Sequence, residues 1–397
     1  MNLLPRFLPA ALAALLSLTA CGGGGGDGGG ISGTGRTQGT LKLALTDAPA
    51  CGYDHVHVTI ERVRVHQSSS AADGDTGWSE IALNPARRVD LLALSNGVLE
   101  ELGQTALPAG RYTQMRLLLA ANGNAAPFAN SVTPTGGSET ALTTPSAQQS
   151  GLKTDIAIDV AADQVADFVI DFDACKSVVR RGNSGQYNLK PVITVVPRLS
   201  DAGQRVIGWV SPAVAAAGAQ VSVQRAGLPV KATAPDATTG RFVLYPVPTG
   251  SYDLVVAANG RVTAVMTGVP VVSTAFTFVN SETLPIVPPA LALPLRNVAG
   301  TVSPATATVR ALQTLTGGPT VEVAWAPVDA LSGAFGIVLP QEAPVRLAYV
   351  ANPVSLPWAP VHAAAGRYTV EAASAGVLKT QAIDTTAAVP ALAFTIP

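Results

Sequence analysis

The sequence predicts an all-β fold: three tandem β-sandwich domains behind a signal peptide and a Gly-rich tether. Three observations lead there. Short runs of alternating apolar and polar residues recur along the chain, the period-two pattern of half-buried strands. With 38 glycines and 30 prolines among 397 residues, those runs are separated by turn residues, as in all-β proteins. The C-terminal half also repeats its own motifs at near-equal spacing, with a period that means tandem domains rather than a solenoid.

Residues 1–20 read as a secretory signal. Met1 to Arg6 carries one positive charge, Arg6, and no acid. Phe7 to Leu18 is almost wholly apolar and too short to cross a bilayer as a helix. Leu18-Thr19-Ala20-Cys21 resembles the lipobox of bacterial lipoproteins. That resemblance implies cleavage before Cys21 and acylation of its sulfur and new amino terminus, so Cys21 is the expected lipid attachment site. Cleavage after Ala20 of an ordinary secreted protein is the alternative. Residues 21–39 have no core-forming pattern and behave as a flexible coil reaching about 20–25 Å. By the same resemblance, Gly22 in place of an aspartate after the cysteine favours the outer membrane, on either face.

Composition excludes some partners. Net charge is −1, and the basic pairs Arg87-Arg88 and Arg180-Arg181 are isolated. No basic stripe follows a phosphate backbone, so nucleic acid is not an expected partner. After Cys21 two cysteines remain, Cys51 and Cys175. An even pair in an oxidising compartment predicts one disulfide; two separate thiols are the other account.

Residues 40–199 form the first predicted domain. Leu41, Leu43 and Leu45 alternate with polar or small residues, and Asp47-Ala48-Pro49 ends that strand because proline removes a donor. The next strand, Tyr53 to His66, carries Val56, Val58 and Ile60 on one face and then Val63 and Val65 on the other parity. A β-bulge near Glu61-Arg62 produces such a phase shift. Further strands are expected at Trp78–Leu83, Tyr112–Leu119, Asp155–Val160, Asp167–Asp173 and Tyr187–Val196. The blocks TLKLALTDAPACGYDHVHVTIERVRVH, VDLLALSNG, LPAGRYTQMRLLL, GLKTDIAIDV, DFVIDFDACKSVV and YNLKPVITVVPRL occur in order. Together they resemble domain of unknown function family 4382, found largely on secreted and lipidated bacterial proteins. The resemblance implies a β-sandwich and no established activity.

Two pairs in this domain have metal-ligand spacing. His55 and His57 share a strand face, the H-x-H spacing that places two imidazoles on one ion, with Asp47 and Asp54 near in sequence. A polar, solvated face opposite Val56, Val58 and Ile60 explains the same pattern. Asp171 and Asp173 are expected on one strand face, where carboxylates bind a hard cation, yet the dense oxygen loop of calcium sites is missing. No metal or other cofactor is therefore assigned. Ser150-Gly151-Leu152-Lys153 has the S-x-x-K spacing of serine β-lactamases without their partner motifs, and reads as chance.

The remainder repeats. Gly208-Trp209-Val210-Ser211-Pro212-Ala213 recurs as Gly300-Thr301-Val302-Ser303-Pro304-Ala305, and Thr239-Gly240-Arg241-Phe242 as Ser332-Gly333-Ala334-Phe335. Gly250-Ser251-Tyr252 recurs as Gly366-Arg367-Tyr368. Residues 204–283 and 296–397 are thus two copies of one small sandwich, joined by a stiff Pro-rich linker at 284–295. The order of these motifs resembles the carboxypeptidase regulatory-like domain, a transthyretin-like sandwich that serves as an accessory module. The resemblance implies no catalytic residues here. The third domain diverges by an insertion before Tyr368 that contains Tyr349 and Trp358. One expectation makes those two aromatics partner contacts; the other makes the insertion a hairpin in which Trp358 covers a neighbouring sheet edge.

These features imply a lipid-anchored, non-catalytic envelope protein that presents β-sandwich binding or structural surfaces to a polysaccharide or an envelope protein. A carbohydrate-binding or adhesion lipoprotein is the alternative, although aromatic residues are only 5% of the chain. A hydrolase with an unrecognised site in the first domain is a further alternative. Against it, His55, His57, His66 and His362 belong to no recognisable Ser-His-Asp or metal-hydrolase motif.

Overall fold

A computed structural model describes residues 37–47, 52–144, 147 and 150–397. The expected signal, Cys21, most of the tether and Cys51 lie outside the described residues. Arg36–Pro397 is one compact unit, nearly all β, and contains three sandwiches. Among the described residues no helix is long and apolar enough to cross a membrane.

The first sandwich packs a four-stranded sheet on a larger one. Leu41, Leu43 and Leu45 are buried along the Gln38–Asp47 strand, which runs parallel to Val165–Phe172 and antiparallel to Glu100–Pro108. Tyr53–His66 is the long strand of the second sheet, paired with Ser79–Asp90 on one side and with Ser131–Pro134 and Gly110–Leu119 on the other. Its register slips between Ile60 and Arg62 against both Ser79–Asp90 and Gly110–Leu119. The bulge at Glu61 lets Val56, Val58 and Ile60, and then Val63 and Val65, all enter the core. The single strand expected over Tyr187–Val196 is instead two, Tyr187–Leu189 and Ile193–Pro197, in different sheets. Pro191 lies in the break; it has no N–H to give a ladder, and there the chain crosses from one sheet to the other.

The second and third sandwiches share one topology. Val206–Trp209 is flanked by Arg241–Leu244 and Thr277–Phe278, as Arg296–Ser303 is flanked by Ala334–Leu339 and Leu392–Thr395. In each case the first neighbour is antiparallel and the second parallel. The facing sheets run Leu228–Thr233, Gln220–Arg225, Gly250–Ala257, Ala264–Val271 and, in the third sandwich, Thr320–Ala326, Thr308–Thr314, Arg367–Ser374, Val377–Asp384. The repeated motifs are the parts that enforce this. Asp236 accepts from the Thr238 and Thr239 amides and the Thr239 hydroxyl, and Asp329 does the same for Leu331, Ser332 and the Ser332 hydroxyl. The next glycine, Gly240 or Gly333, has φ of 70° or 68°. Its carbonyl accepts from Val210 N or Val302 N, 2.9 Å in each. Gly208 and Gly300 lie under the rings of Phe242 and Phe335, where a Cβ has no room.

The Pro-rich segment is not a free spacer over its length. Ile286 is fully buried in the core of the second sandwich. Its amide donates to Trp209 O and its carbonyl accepts from Ser211 N, while Pro289 O accepts from Val262 N. The insertion follows the second of its two expectations. Val345–Ala348 adds in parallel to Ala264–Val271, at the edge of the second sandwich, and pairs with Ala359–Pro360. Tyr349 and Trp358 are half-buried against the second sandwich's core, and Tyr349 N donates to Thr267 O at 2.8 Å. An edge with unpaired amides is thereby closed.

Gly240 makes the repeat testable. A methyl there collides with the Val210 carbonyl and also forces a left-handed backbone on an L-residue. Gly240→Ala is expected to lower unfolding free energy in denaturant titration by about 3 kcal/mol or more. Gly268→Ala has a similar φ of 74° but open space around it, and is expected to cost about 1 kcal/mol. Equal losses in the two variants contradict the steric account.

Candidate functional site

The two carboxylates weighed as a cation pair have separate partners. Asp171 lies on the Val165–Phe172 strand of the first sandwich and meets Lys231, from the Leu228–Thr233 strand of the second, at 2.6 Å. Lys231 is 3% exposed and Asp171 7%. The same ammonium donates to Asp47 O at 3.2 Å. Asp173 lies past the end of that strand and caps the short Ala174–Ser177 helix, accepting from Lys176 N at 2.9 Å. Burial pushes its carboxyl up, and the adjacent Lys176 charge opposes that. The two aspartates thus serve a lysine and a helix end, Asp171 in docking the second sandwich and Asp173 in capping its own chain.

Lys176 carries the contact onward. Its Nζ is 3.0 Å from Glu322 Oε1 of the third sandwich and lies over the Trp325 ring at 4.7 Å. Glu322 is also 3.3 Å from Arg310, whose Nε donates to Glu371 and whose NH1 donates to Gly227 O of the second sandwich. Gln224 and Glu322 exchange two hydrogen bonds, at 2.8 and 2.7 Å, as two strands would. Around these groups the three sandwiches enclose a cavity of about 250 Å³, walled by Tyr53, Asp173, Gln220, Ser222, Glu322 and Trp325 among others. Burial and the neighbouring Tyr187 raise the Tyr53 phenol to about 12, so it is neutral there and offers a donor.

A second cluster forms on the solvent face of Tyr53–His66. His57 stands opposite Asp90 in the hairpin register, and His55 Nδ1 is 2.7 Å from Asp90 Oδ2. The other carboxylate oxygen accepts from Val56 N at 3.1 Å and Leu92 N at 3.3 Å, because Asp90 caps the Leu91–Leu94 turn of 3₁₀ helix. One ligand atom each from His55, His57 and Asp90 lie within 4.8 Å of one another. His57 Nδ1 is buried and has no hydrogen-bond partner among the described residues. Desolvation first, then the charge of Arg88, hold the His57 imidazole below the ordinary histidine value. The sequence pointed to both histidines but paired them with Asp47 and Asp54. Asp54 accepts from Gly136 N, and Asp47 accepts from Ala174 N in the core. The third member is Asp90, which only the hairpin register brings in.

Cys175 is half-buried in the Ala174–Ser177 helix, and its expected partner Cys51 lies outside the described residues. Lys153 of the S-x-x-K match donates to Ser69 O. His66 accepts from Ser68 N and packs on Trp78 at 5.0 Å.

Residues 38–191 match a family model described as a domain of unknown function (DUF4382). The matched stretch contains His55, His57, Asp90, Asp171 and Lys176, and stops just before the last strand of the first sandwich. No curated protein matches the chain.

The Asp171–Lys231 pair generates a measurable expectation. Asp171→Asn strands a buried ammonium and is expected to destabilise the protein by roughly 3–5 kcal/mol in denaturant titration. Asp171→Leu combined with Lys231→Met removes both charges and is expected to recover most of that loss. A single variant as stable as the wild type contradicts the assigned role.

Proposed function

We propose that this protein is a lipid-anchored, non-catalytic component of the bacterial cell envelope. On this reading its three sandwiches are cemented into one body that presents binding or structural surfaces. The observation that carries it is the buried polar contact between sandwiches: Lys231 on Asp171, and Lys176 on Glu322. Modules meant to move independently do not bury charges in each other, because each separation strands an ion. The second and third sandwiches are read as carboxypeptidase regulatory-like modules, supported by their shared topology and turn device. A non-catalytic role is supported at the imidazole–carboxylate cluster of the first sandwich. The serine opposite His57, Ser131, is fully buried and accepts from Arg88 at 3.3 Å, so it is not placed as a nucleophile.

The anchor is Cys21, acylated and held in the outer membrane. A Cys51–Cys175 disulfide belongs to the same oxidising address. Its support is that Ala174 N donates to Asp47 at 2.8 Å, which brings the chain just before Cys51 beside Cys175. Fractionation of cells tests the address: the full chain is expected with outer membranes and in the detergent phase, and Cys21→Ser in the soluble or unprocessed fraction. Non-reducing peptide maps of the membrane form are expected to contain the cross-linked pair. A wild-type chain found in the aqueous phase, or both cysteines alkylated without reductant, overturns the corresponding part.

The cavity at the junction favours carbohydrate binding as the second reading. Trp325 and Tyr53 offer aromatic surface beside Gln220, Ser222 and Glu322, the mixed lining of a small-ligand site. A glycan array probed with the full chain tests it: a signal lost in Trp325→Ala supports the reading, and an array with no signal removes it.

A further inference from the structure

We propose that His55, His57 and Asp90 bind one divalent transition-metal ion, for which zinc(II) is the best-suited choice. This goes beyond the anchoring and presenting role above and does not depend on it. The donors are two imidazole nitrogens and one carboxylate oxygen, already within 4.8 Å of one another. Around a four-coordinate zinc with bonds of about 2.0–2.1 Å, ligand atoms stand roughly 3.3 Å apart. His55 Nδ1 and Asp90 Oδ2 now share a hydrogen bond of 2.7 Å, and this pair opens by about 0.6 Å to admit the ion. An ion there takes the place of the proton that the two side chains share.

The set is held rather than accidental. His57 and Asp90 are cross-strand partners, and His55 precedes His57 on the same face of one strand. Asp90 is aimed by the Val56 and Leu92 amides, which occupy its other oxygen. Fixing a ligand through its second atom is how outer partners orient metal sites. His57 Nδ1 is buried without a hydrogen-bond partner among the described residues, so this ring is not committed to another group through that nitrogen. The neighbouring cation, Arg88, is turned to Glu139 at 2.8 Å and to Phe128 O at 3.0 Å. Imidazole with carboxylate suits zinc, copper or nickel rather than calcium or magnesium, which take all-oxygen shells. Three protein ligands leave a coordination position for water or for a donor from outside.

The test uses the untagged full chain in detergent, stripped with a chelator and titrated with zinc chloride by calorimetry, then with cobalt(II) followed by visible absorption. One equivalent is expected to bind, to raise the melting temperature, and to give the intense visible bands of a cobalt ion with four or five ligands. His55→Ala and His57→Ala are each expected to weaken binding by at least about tenfold, and the double variant to lose the melting shift. His362→Ala, outside the cluster, is expected to bind as the wild type does. His55 is exposed, so His55→Ala remains folded and keeps the proposal answerable if His57→Ala does not. No heat and no melting shift with the stripped wild type overturns the proposal, as does a double variant that binds zinc like the wild type.

Discussion

The ammonium of Lys231 is the group on which the arrangement of the sandwiches depends. It is buried, it belongs to the second sandwich, and both of its acceptors, Asp171 and the Asp47 carbonyl, belong to the first. A lone buried charge costs several kcal/mol, and its attraction to a partner offsets that only when the geometry is held. The first sandwich holds it with adjacent parallel strands, since Thr46 pairs with Asp171 and Asp47 with Phe172 in the ladder. The second sandwich holds it with the Gln220–Arg225 strand alongside. Neither module satisfies this group alone, so the folded form of each presumes the other.

Around that point the junction repeats one idea with different atoms. Asn96 reaches across to the second sandwich, donating to Thr233 and Arg241 and accepting from Val243 N, as an added stub of strand would. Lys190 donates to Ala307 O, and Gly182 N to Asp329, linking the first sandwich to the third. Burial lowers the Lys190 ammonium to about 8. Its folded value lies below the unfolded one, so the charged form costs stability below pH 8 and that cost fades between about pH 8 and 10.4. The junction therefore contains one buried lysine set on a carboxylate, Lys231, and one set on a carbonyl, Lys190, which burial penalises.

How much of this was legible follows from the range of each interaction. The bulge at Glu61 and the repeated T-G-x-F turn are written within a few residues, and the sequence shows them. The same local logic had one more instance in plain sight: Pro108-x-Gly110-x-Tyr112 repeats as Pro248-x-Gly250-x-Tyr252. In both, the tyrosine hydroxyl donates to the proline carbonyl, at 2.9 and 2.7 Å. What was not legible is pairing across the fold. Nothing near Asp171 names Lys231, and nothing near His57 names Asp90, because register between strands is set by the whole hydrophobic pattern. The destination of the inserted segment was hidden for the same reason. Its apolar Val345 and Leu347 require a sheet to lie against, but which sheet is decided by the edge that the second sandwich leaves open.

Small sandwiches explain why the edges and charges are shared at all. A domain near the lower end of the size range buries a modest fraction of its surface, so its core alone is marginal. The third sandwich illustrates the remedy. Its insertion contributes Val345 to the second sandwich's core, while Leu315 and Val321 form a separate small core with Val255 and Val265 of the second. A contact of this kind stabilises both partners at once, whereas a surface loop of equal length adds only entropy to be lost on folding. The insertion, open in sequence to either a contact loop or an edge-covering hairpin, is better understood as a strap. Among the described residues, the histidine face of the first sandwich and the mouth of the cavity where all three meet are two surfaces that the proposed role leaves open to a partner.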